Sequence, residues 1–307
     1  MNPERSILIS GASGFLGRSL MARLASFGKV VGTVFSHAAG PLYPVDLRDA
    51  EALKCMLNEV QPDVVVHCAA YRDPDFCEDH PEEAFRLNVA PVERFCELLP
   101  ESVPFVFISS DYVFEGVAAP YREEDERHPV NEYGRLKVAA EDLTLQRDSG
   151  VILRIPLLIG AGPTWEDSGF ISKTLAKIQD PAPSSLDDAG VRFPTWTTDV
   201  AEAVAHLLEI EGRGVYHYSS LDGGTKYEWA LELANLVGLS MEHITPDREG
   251  SATRATRPGN TQLAVEKIRH TGWNRFTPYR EVVLSVLEEH RHPIPTKSTT
   301  PTVHSSS

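Results

Sequence analysis

Three side chains in this 307-residue sequence stand at spacings that fit carbonyl chemistry: Ser110, Tyr133 and Lys137. Tyr133 and Lys137 are four apart in YGRLK, so a helix would carry both on one face. An ammonium beside a phenol favours the phenolate by Coulomb attraction and draws a group whose pKa is about 10 toward working pH. Such a phenol can act as general acid to a carbonyl oxygen under reduction, with the Ser110 hydroxyl bonded to the same oxygen. Ser110 belongs to SSDYVF at 109 to 114, which ends the apolar run Phe105 to Ile108. Lys137 is also expected to bind the ribose of the hydride donor.

That donor has its own signature. GASGFLG at 11 to 17 follows the apolar run Ile7, Leu8, Ile9 and opens a helical segment. A strand feeding a helix through glycine lets the backbone approach a pyrophosphate, while the helix N-terminus offers free N–H groups and the positive end of its dipole. Gly11 would make the turn, Gly14 the close approach and Gly17 the packing of helix on strand. Ser13, Phe15, Leu16 and Arg18 fall in the same cofactor-binding turn. The GxxGxxG spacing points to the short-chain dehydrogenase branch of nicotinamide enzymes.

An NAD enzyme normally places a carboxylate near the end of the second strand, against the adenosine ribose. Here that stretch reads Val34, Phe35, Ser36, His37, so NADP is expected over NAD, with Ser36, His37 and Arg18 as its contacts. Asp46 and Leu47, after a short third strand, are assigned to the adenine. Cys68, Tyr71 and Ile155 are assigned to the same cofactor groove.

The elements that must position these groups alternate. Apolar, β-branched runs recur at Ile7 to Ser10, Val30 to Phe35, Val64 to His67, Phe105 to Ile108 and Val151 to Ile155, with helical segments at 15–26, 49–60, 81–98 and 133–147 between them. This pattern predicts an α/β fold, a doubly wound parallel sheet of the Rossmann type covered on both faces. Residues 1–159 form the dinucleotide-binding domain, to which 190–220 add a helix near 199–210 and a strand in GVYHYSS. Residues 160–290, punctuated by Gly160, Gly162, Pro163, Pro181 and Pro183, form a smaller C-terminal region that is mainly substrate-binding, with helices near 169–179 and 226–237. Residues 291–307, rich in Pro, Ser and Thr, are expected to be a disordered tail.

A formal charge of −15 argues against nucleic-acid and membrane-surface partners, which are themselves anionic. The start MNPERS holds no basic-then-apolar leader, and no apolar stretch is long enough to span a bilayer, so a cytoplasmic location is expected. Cys55, Cys68, Cys77 and Cys96 lack metal-ligand spacing, so neither a metal nor a disulfide is expected.

With these residues in place, the chain resembles the extended short-chain dehydrogenases, and within them the dTDP-4-dehydrorhamnose reductase family, over about residues 5–290. The likeness rests further on DVVVHCAAYRDPDFCEDHPEEAFRLNV at 63–89, SSDYVFEG at 109–116, PYREED at 120–125, RFPTWTTDVA at 192–201 and RPGNTQLAVEKI at 257–268. It implies that Ser110, Tyr133 and Lys137 are catalytic, that Ala69, Ala70 and Asn88 line the cofactor, and that the substrate is a keto group on a nucleotide-linked deoxysugar. Arg72, Tyr112, Val113, Arg192 and Arg257 are assigned to that substrate, since a diphosphate needs cationic forks and a sugar or base an aromatic face.

One departure is Leu157, in RIPLLIG at 154–160, where rhamnose-pathway enzymes usually carry a tryptophan. The RIP sequence, VHCAA, PYREED and the RFPT segment look more like the regulatory beta subunits of methionine adenosyltransferase. That likeness implies an alternative, an NADP-binding module that contacts a synthetase catalytic subunit. A nucleotide-sugar epimerase with tightly held NAD is a third reading. Homodimerisation is compatible with all three.

Overall fold

A computed structural model describes residues 5–35, 42–249 and 254–291. In chain order, β1 (Ser6–Ser10) turns into α1 (Phe15–Leu24), followed by β2 (Lys29–Val34), β3 (Leu42–Pro44), α2 (Ala50–Val60) and β4 (Val64–His67). Three short helices, α3 (Pro74–Asp79), α4 (Pro81–Asn88) and α5 (Ala90–Leu98), lead to β5 (Phe105–Ser110), α6 (Glu132–Thr144) and β6 (Gly150–Ile155). The remainder comprises β7 (Leu158–Ile159), α7 (Phe170–Gln179), β8 (Ser184–Asp187), β9 (Thr195–Trp196), α8 (Thr197–Glu209), β10 (Gly214–His217), α9 (Lys226–Val237), β11 (Ile244–Asp247), α10 (Glu266–His270) and α11 (Tyr279–Glu289).

Seven strands form one parallel sheet in the order β3-β2-β1-β4-β5-β6-β10. This is the doubly wound Rossmann architecture. The chain winds outward from β1 through β2 and β3, then restarts beside β1 with β4, in the register Ile9 to Val66 and Ser10 to His67. Where the winding reverses, the connections leave in opposite directions and open a crevice beyond the carboxyl ends of the strands.

The sequence alternation explains the layers, because successive strand residues face opposite sides. Ile7 and Ile9 of β1 join Val64, Val66 and Val106 in a core closed by Leu20 of α1 and Val204 of α8. Leu8, between them, faces the other layer with Val65, Phe107 and Ile152, covered by Leu53 of α2 and Phe95 of α5. Every residue of β4, β5 and β6 is buried, which is why those strands read as continuous rather than alternating apolar runs. A separate core joins α7, α9 and α11 through Ile171, Leu175, Trp229, Leu233, Val282 and Val286.

The helix expected over 81–98 is not continuous. Val89 takes φ −122° and ψ −53°, and the chain restarts as α5 with Pro91 in its first turn. Proline has no N–H to give, and its ring collides with the carbonyl four residues back, so it ends one helix and suits the start of the next. The preceding α3 was not apparent from periodicity; Asp73 caps it through the amide of Asp75, with Pro74 at its first position. Among the described residues no helix is long and apolar enough to cross a membrane, and no group of His, Cys, Asp or Glu is placed to hold a metal ion. The four cysteines are free thiols. The tail expectation falls, from residue 292, outside the described residues.

Candidate functional site

A cavity of about 490 Å³ lies at the crevice where the winding reverses. Its first wall is the glycine turn. A Cβ on Gly17 would stand 2.2 Å from the Gly11 carbonyl oxygen, so only glycine lets α1 settle this closely on β1. Gly14 occupies the N-cap position of α1 and supplies no side-chain cap. The amides of the first turn are therefore available to an anionic ligand. Gly11, Phe15, Leu16, Cys68, Ala69, Ala70 and Ile155 complete this end. Burial pushes the Cys68 thiol up to about 12, which leaves it a neutral wall residue.

The opposite wall comes from β5 and α6. Asn131 caps α6 by accepting from the Gly134 amide at 2.9 Å, and its own amide donates to the Thr256 carbonyl at 2.8 Å. Gly134 lies so near the turn after Ser110 that a Cβ would come within 2.2 Å of the Tyr112 carbonyl oxygen. A side chain there would push the helix, and Tyr133 with it, away from Ser110. Tyr133 and Lys137 thus share the cavity with Ser110, and Tyr112 meets Tyr133 edge-on with ring centres 5.9 Å apart.

The electrostatics differ from the sequence expectation. The Lys137 ammonium is buried, donates to the Ile108 carbonyl at 2.9 Å and stands 5.9 Å from the centre of the Tyr133 ring. Desolvation lowers its pKa to about 8. Tyr133 moves the opposite way to expectation: burial raises its pKa, and the pull of Ser110 in the other direction is smaller. A buried phenolate would lose more hydration than a distant ammonium returns. The phenol therefore keeps its proton, the form a general acid needs.

Arg72, Tyr112 and Arg192 also face the cavity, together with Lys226, which sequence reasoning missed. Arg192 is buried and anchored by the carbonyls of Val191 and Gly259 at 2.8 and 3.0 Å. Burial lowers the pKa of Lys226 against the opposing pull of Asp187, with Arg192 and Arg257 acting in the same direction as burial, so three cations and a carboxylate share this corner.

Other assigned residues do not line the cavity. Arg257 pairs with Asp75 at 3.0 Å, and Val113 is sealed in a small core with Phe114 and Tyr121. Asn88 does not reach the cavity wall. Its amide closes on the backbone of Tyr71, accepting from the N–H and donating to the carbonyl, both at 2.8 Å. It holds the loop that follows Ala70. The Tyr71 hydroxyl turns outward to Glu83 at 2.9 Å.

Ser13 is exposed, and its carbonyl accepts from Arg18 at 2.6 Å. Asp46 is paired with Arg48 at 2.9 Å, and Leu47 is buried in the core. Ser36 and His37 lie outside the described residues. The Arg48 guanidinium stacks 4.9 Å above the exposed ring of Phe35. Its signal in the sequence was a cation two residues beyond Asp46.

Two carboxylates that the sequence reading passed over adjoin the serine pair. Ser109 donates to Glu141 at 2.5 Å, and Glu141 is gripped by Arg154 at 2.8 and 2.9 Å and by Arg127 at 3.1 Å. Ser110 donates to Asp111 at 3.0 Å, and Asp111 also accepts from the Thr261 hydroxyl. Asp111 was visible as the third letter of SSDYVF, but its partner Thr261 lies 150 residues further along the chain.

Comparison with known proteins places this geometry. Methionine adenosyltransferase 2 subunit beta from Bos taurus is 36% identical over 287 residues, covering 91% of this chain and 86% of that protein. A probable low-salt glycan biosynthesis reductase from Haloferax volcanii is 33% identical over 272 residues, covering 85% and 90%. Among solved structures, a dTDP-4-dehydrorhamnose reductase from Clostridium acetobutylicum aligns with TM-score 0.82 and 25% identity, covering 93% of this chain and 99% of that one. A dTDP-4-dehydrorhamnose reductase from Bacillus anthracis, solved with NADP, shares the fold at TM-score 0.81 and 22% identity, covering 93% and 99%. The RmlD substrate binding domain family matches residues 5–292, and the chain belongs to that family.

Proposed function

We propose that this protein is an NADPH-dependent reductase of a nucleotide-linked 4-keto-6-deoxysugar, of the dTDP-4-dehydrorhamnose type. The observation that carries the reading is the shared cavity: a phosphate-ready glycine turn faces a serine, a protonated tyrosine and a buried lysine across one space.

The cavity fits a nicotinamide dinucleotide. The open first turn of α1 and the glycine turn would hold the pyrophosphate, and Lys137, close to Tyr133, would hold the nicotinamide ribose. When bound, the cofactor supplies hydride to the carbonyl carbon. Tyr133 holds the proton that the carbonyl oxygen must gain, and burial keeps it there until an oxyanion develops. Ser110 fixes the position of that oxygen. Arg192 and Lys226, which line the cavity, would receive a diphosphate, and Tyr112 would face the sugar. Preference for NADP over NAD rests on the missing carboxylate at Val34 and Phe35 and on Arg48 nearby.

A second reading is favoured by one specific observation, the 36% identity to a methionine adenosyltransferase subunit together with Leu157 on the cavity wall. Under it, the chain binds NADP and a synthetase with little turnover. Retention of Ser110, Tyr133 and Lys137 around one cavity supports chemistry. An epimerase would hold NAD, for which the end of β2 offers no carboxylate at Val34 or Phe35.

The test is oxidation of NADPH and NADH by the purified protein with dTDP-4-dehydrorhamnose, with cofactor binding recorded in parallel. Turnover that Tyr133→Phe removes supports the reductase; tight binding without turnover supports the regulatory reading.

A further inference from the structure

We propose that Asp111 is a positioning residue that sets the direction of the Ser110 hydroxyl, which points to the carboxylate when Asp111 is charged and to the substrate oxygen when it is neutral. The inference rests on the reductase reading of this cavity.

A serine hydroxyl has one proton to give. In this structure Ser110 gives it to Asp111 at 3.0 Å, while its oxygen accepts from the Tyr112 amide at 3.2 Å. The other carboxylate oxygen takes the hydroxyl of Thr261, which is wholly buried. Asp111 itself is 3% exposed and lines the cavity. While both of its oxygens accept, the only proton on Ser110 is committed and cannot polarise a carbonyl. Once Asp111 is protonated, the carboxyl can donate to the serine oxygen, and the serine proton is free to turn into the cavity. Thr261 can keep its bond in either state.

The surroundings allow that change. Among the described residues no arginine or lysine hydrogen-bonds Asp111. The groups that face it are Ser110 and Tyr112 on its own segment, Tyr133 from α6, Arg192 from the segment before β9, and Thr261. Arg192, the cation that acts on it, directs its Nη1 at two backbone carbonyls and makes no hydrogen bond to Asp111. Burial raises Asp111 to about 6, against smaller pulls from Thr261, Arg192 and Ser110.

The decisive experiment is the pH profile of kcat for reduction of dTDP-4-dehydrorhamnose by wild type, Asp111→Asn and Thr261→Val. In parallel, infrared difference spectra follow the carboxyl C=O stretch of the cofactor-free protein across the same pH range. Wild-type kcat should fall as pH rises through the ionisation of Asp111. Asp111→Asn, whose amide can donate to Ser110 at any pH, should lose that limb and exceed wild type at pH 8. Thr261→Val should move the limb to higher pH. A limb that persists unchanged in Asp111→Asn overturns the proposal. The infrared arm separates the two claims: absent wild-type turnover sinks the reductase reading, while Ser110→Ala must still move the Asp111 band to higher pH. An unmoved band overturns the coupling itself.

Discussion

Two adjacent serines at the end of one strand hand their protons to two buried carboxylates, and the carboxylates have different company. Glu141, which takes Ser109, is held by two guanidinium groups, with Arg154 engaging both of its oxygens. Asp111, which takes Ser110, is held by hydroxyls. Burial is alike, at 0% and 3% exposure, so burial does not separate them. Charge compensation does. A carboxylate gripped by two arginines ties β5, α6 and β6 into one frame; one held by hydroxyls, as Asp111 is, is free to titrate beside Ser110. The same strand end thereby carries a rigid side and a responsive side.

Breaking the rigid side should give the largest effect. Glu141→Ala leaves Arg154 buried without its partner and should cost about 3–5 kcal/mol of unfolding free energy in urea titrations. Replacing both partners, Glu141→Leu with Arg154→Met, should recover most of that loss. Equal losses in the single and double variants would show that the pair is not what holds the frame. On the responsive side, Tyr133→Phe should lower kcat by about a hundredfold or more, worth about 2.7 kcal/mol, with cofactor affinity nearly unchanged. Near-normal turnover would remove Tyr133 as the acid.

Lys137 allows a smaller and pH-dependent test. Its pKa is lowered to about 8 by desolvation, so the free protein loses this positive charge as pH rises through 8. NADPH affinity should fall several-fold between about pH 7 and 9, and Lys137→Met should bind weakly and lack that limb. The linkage sign is also fixed: the folded state binds this proton less tightly than the unfolded chain, so the penalty from Lys137 is full below pH 8 and fades as pH rises toward 10.5. Lys137→Met should therefore raise Tm more at pH 7 than at pH 10. Smallest is the cofactor choice, where Arg48→Ala should shift the ratio of NADPH to NADH affinity toward NADH by several-fold. An unchanged ratio would move the preference away from Arg48.

How far the sequence discloses these groups depends on how local their causes are. The sheet was legible because β4, β5 and β6, buried on both faces, read as continuous apolar runs until near their carboxyl ends, and because the glycines at 11, 14 and 17 answer to one strand-to-helix turn. That Tyr133 and Lys137 line the same cavity as Ser110 was legible because the two share a helix turn. The break at Val89 was also written locally, in Pro91, but the apolar period ran across it. The roles of Asn88 and Arg257 were hidden, since their partners, the backbone of Tyr71 and the carboxylate of Asp75, are brought to them by the fold. The raised phenol of Tyr133 could not be read from a four-residue spacing either, because burial, not the nearest cation, decides its sign.

The central claim is that this cavity reduces a sugar ketone with a proton from Tyr133. Its most direct test is incubation with NADPH deuterated on the transferring face and dTDP-4-dehydrorhamnose, followed by mass spectrometry of the sugar. One deuterium in the recovered product, entering at about one hundredth of the rate or less with Tyr133→Phe, is the expected result; an unlabelled sugar beside intact, tightly bound cofactor would contradict it.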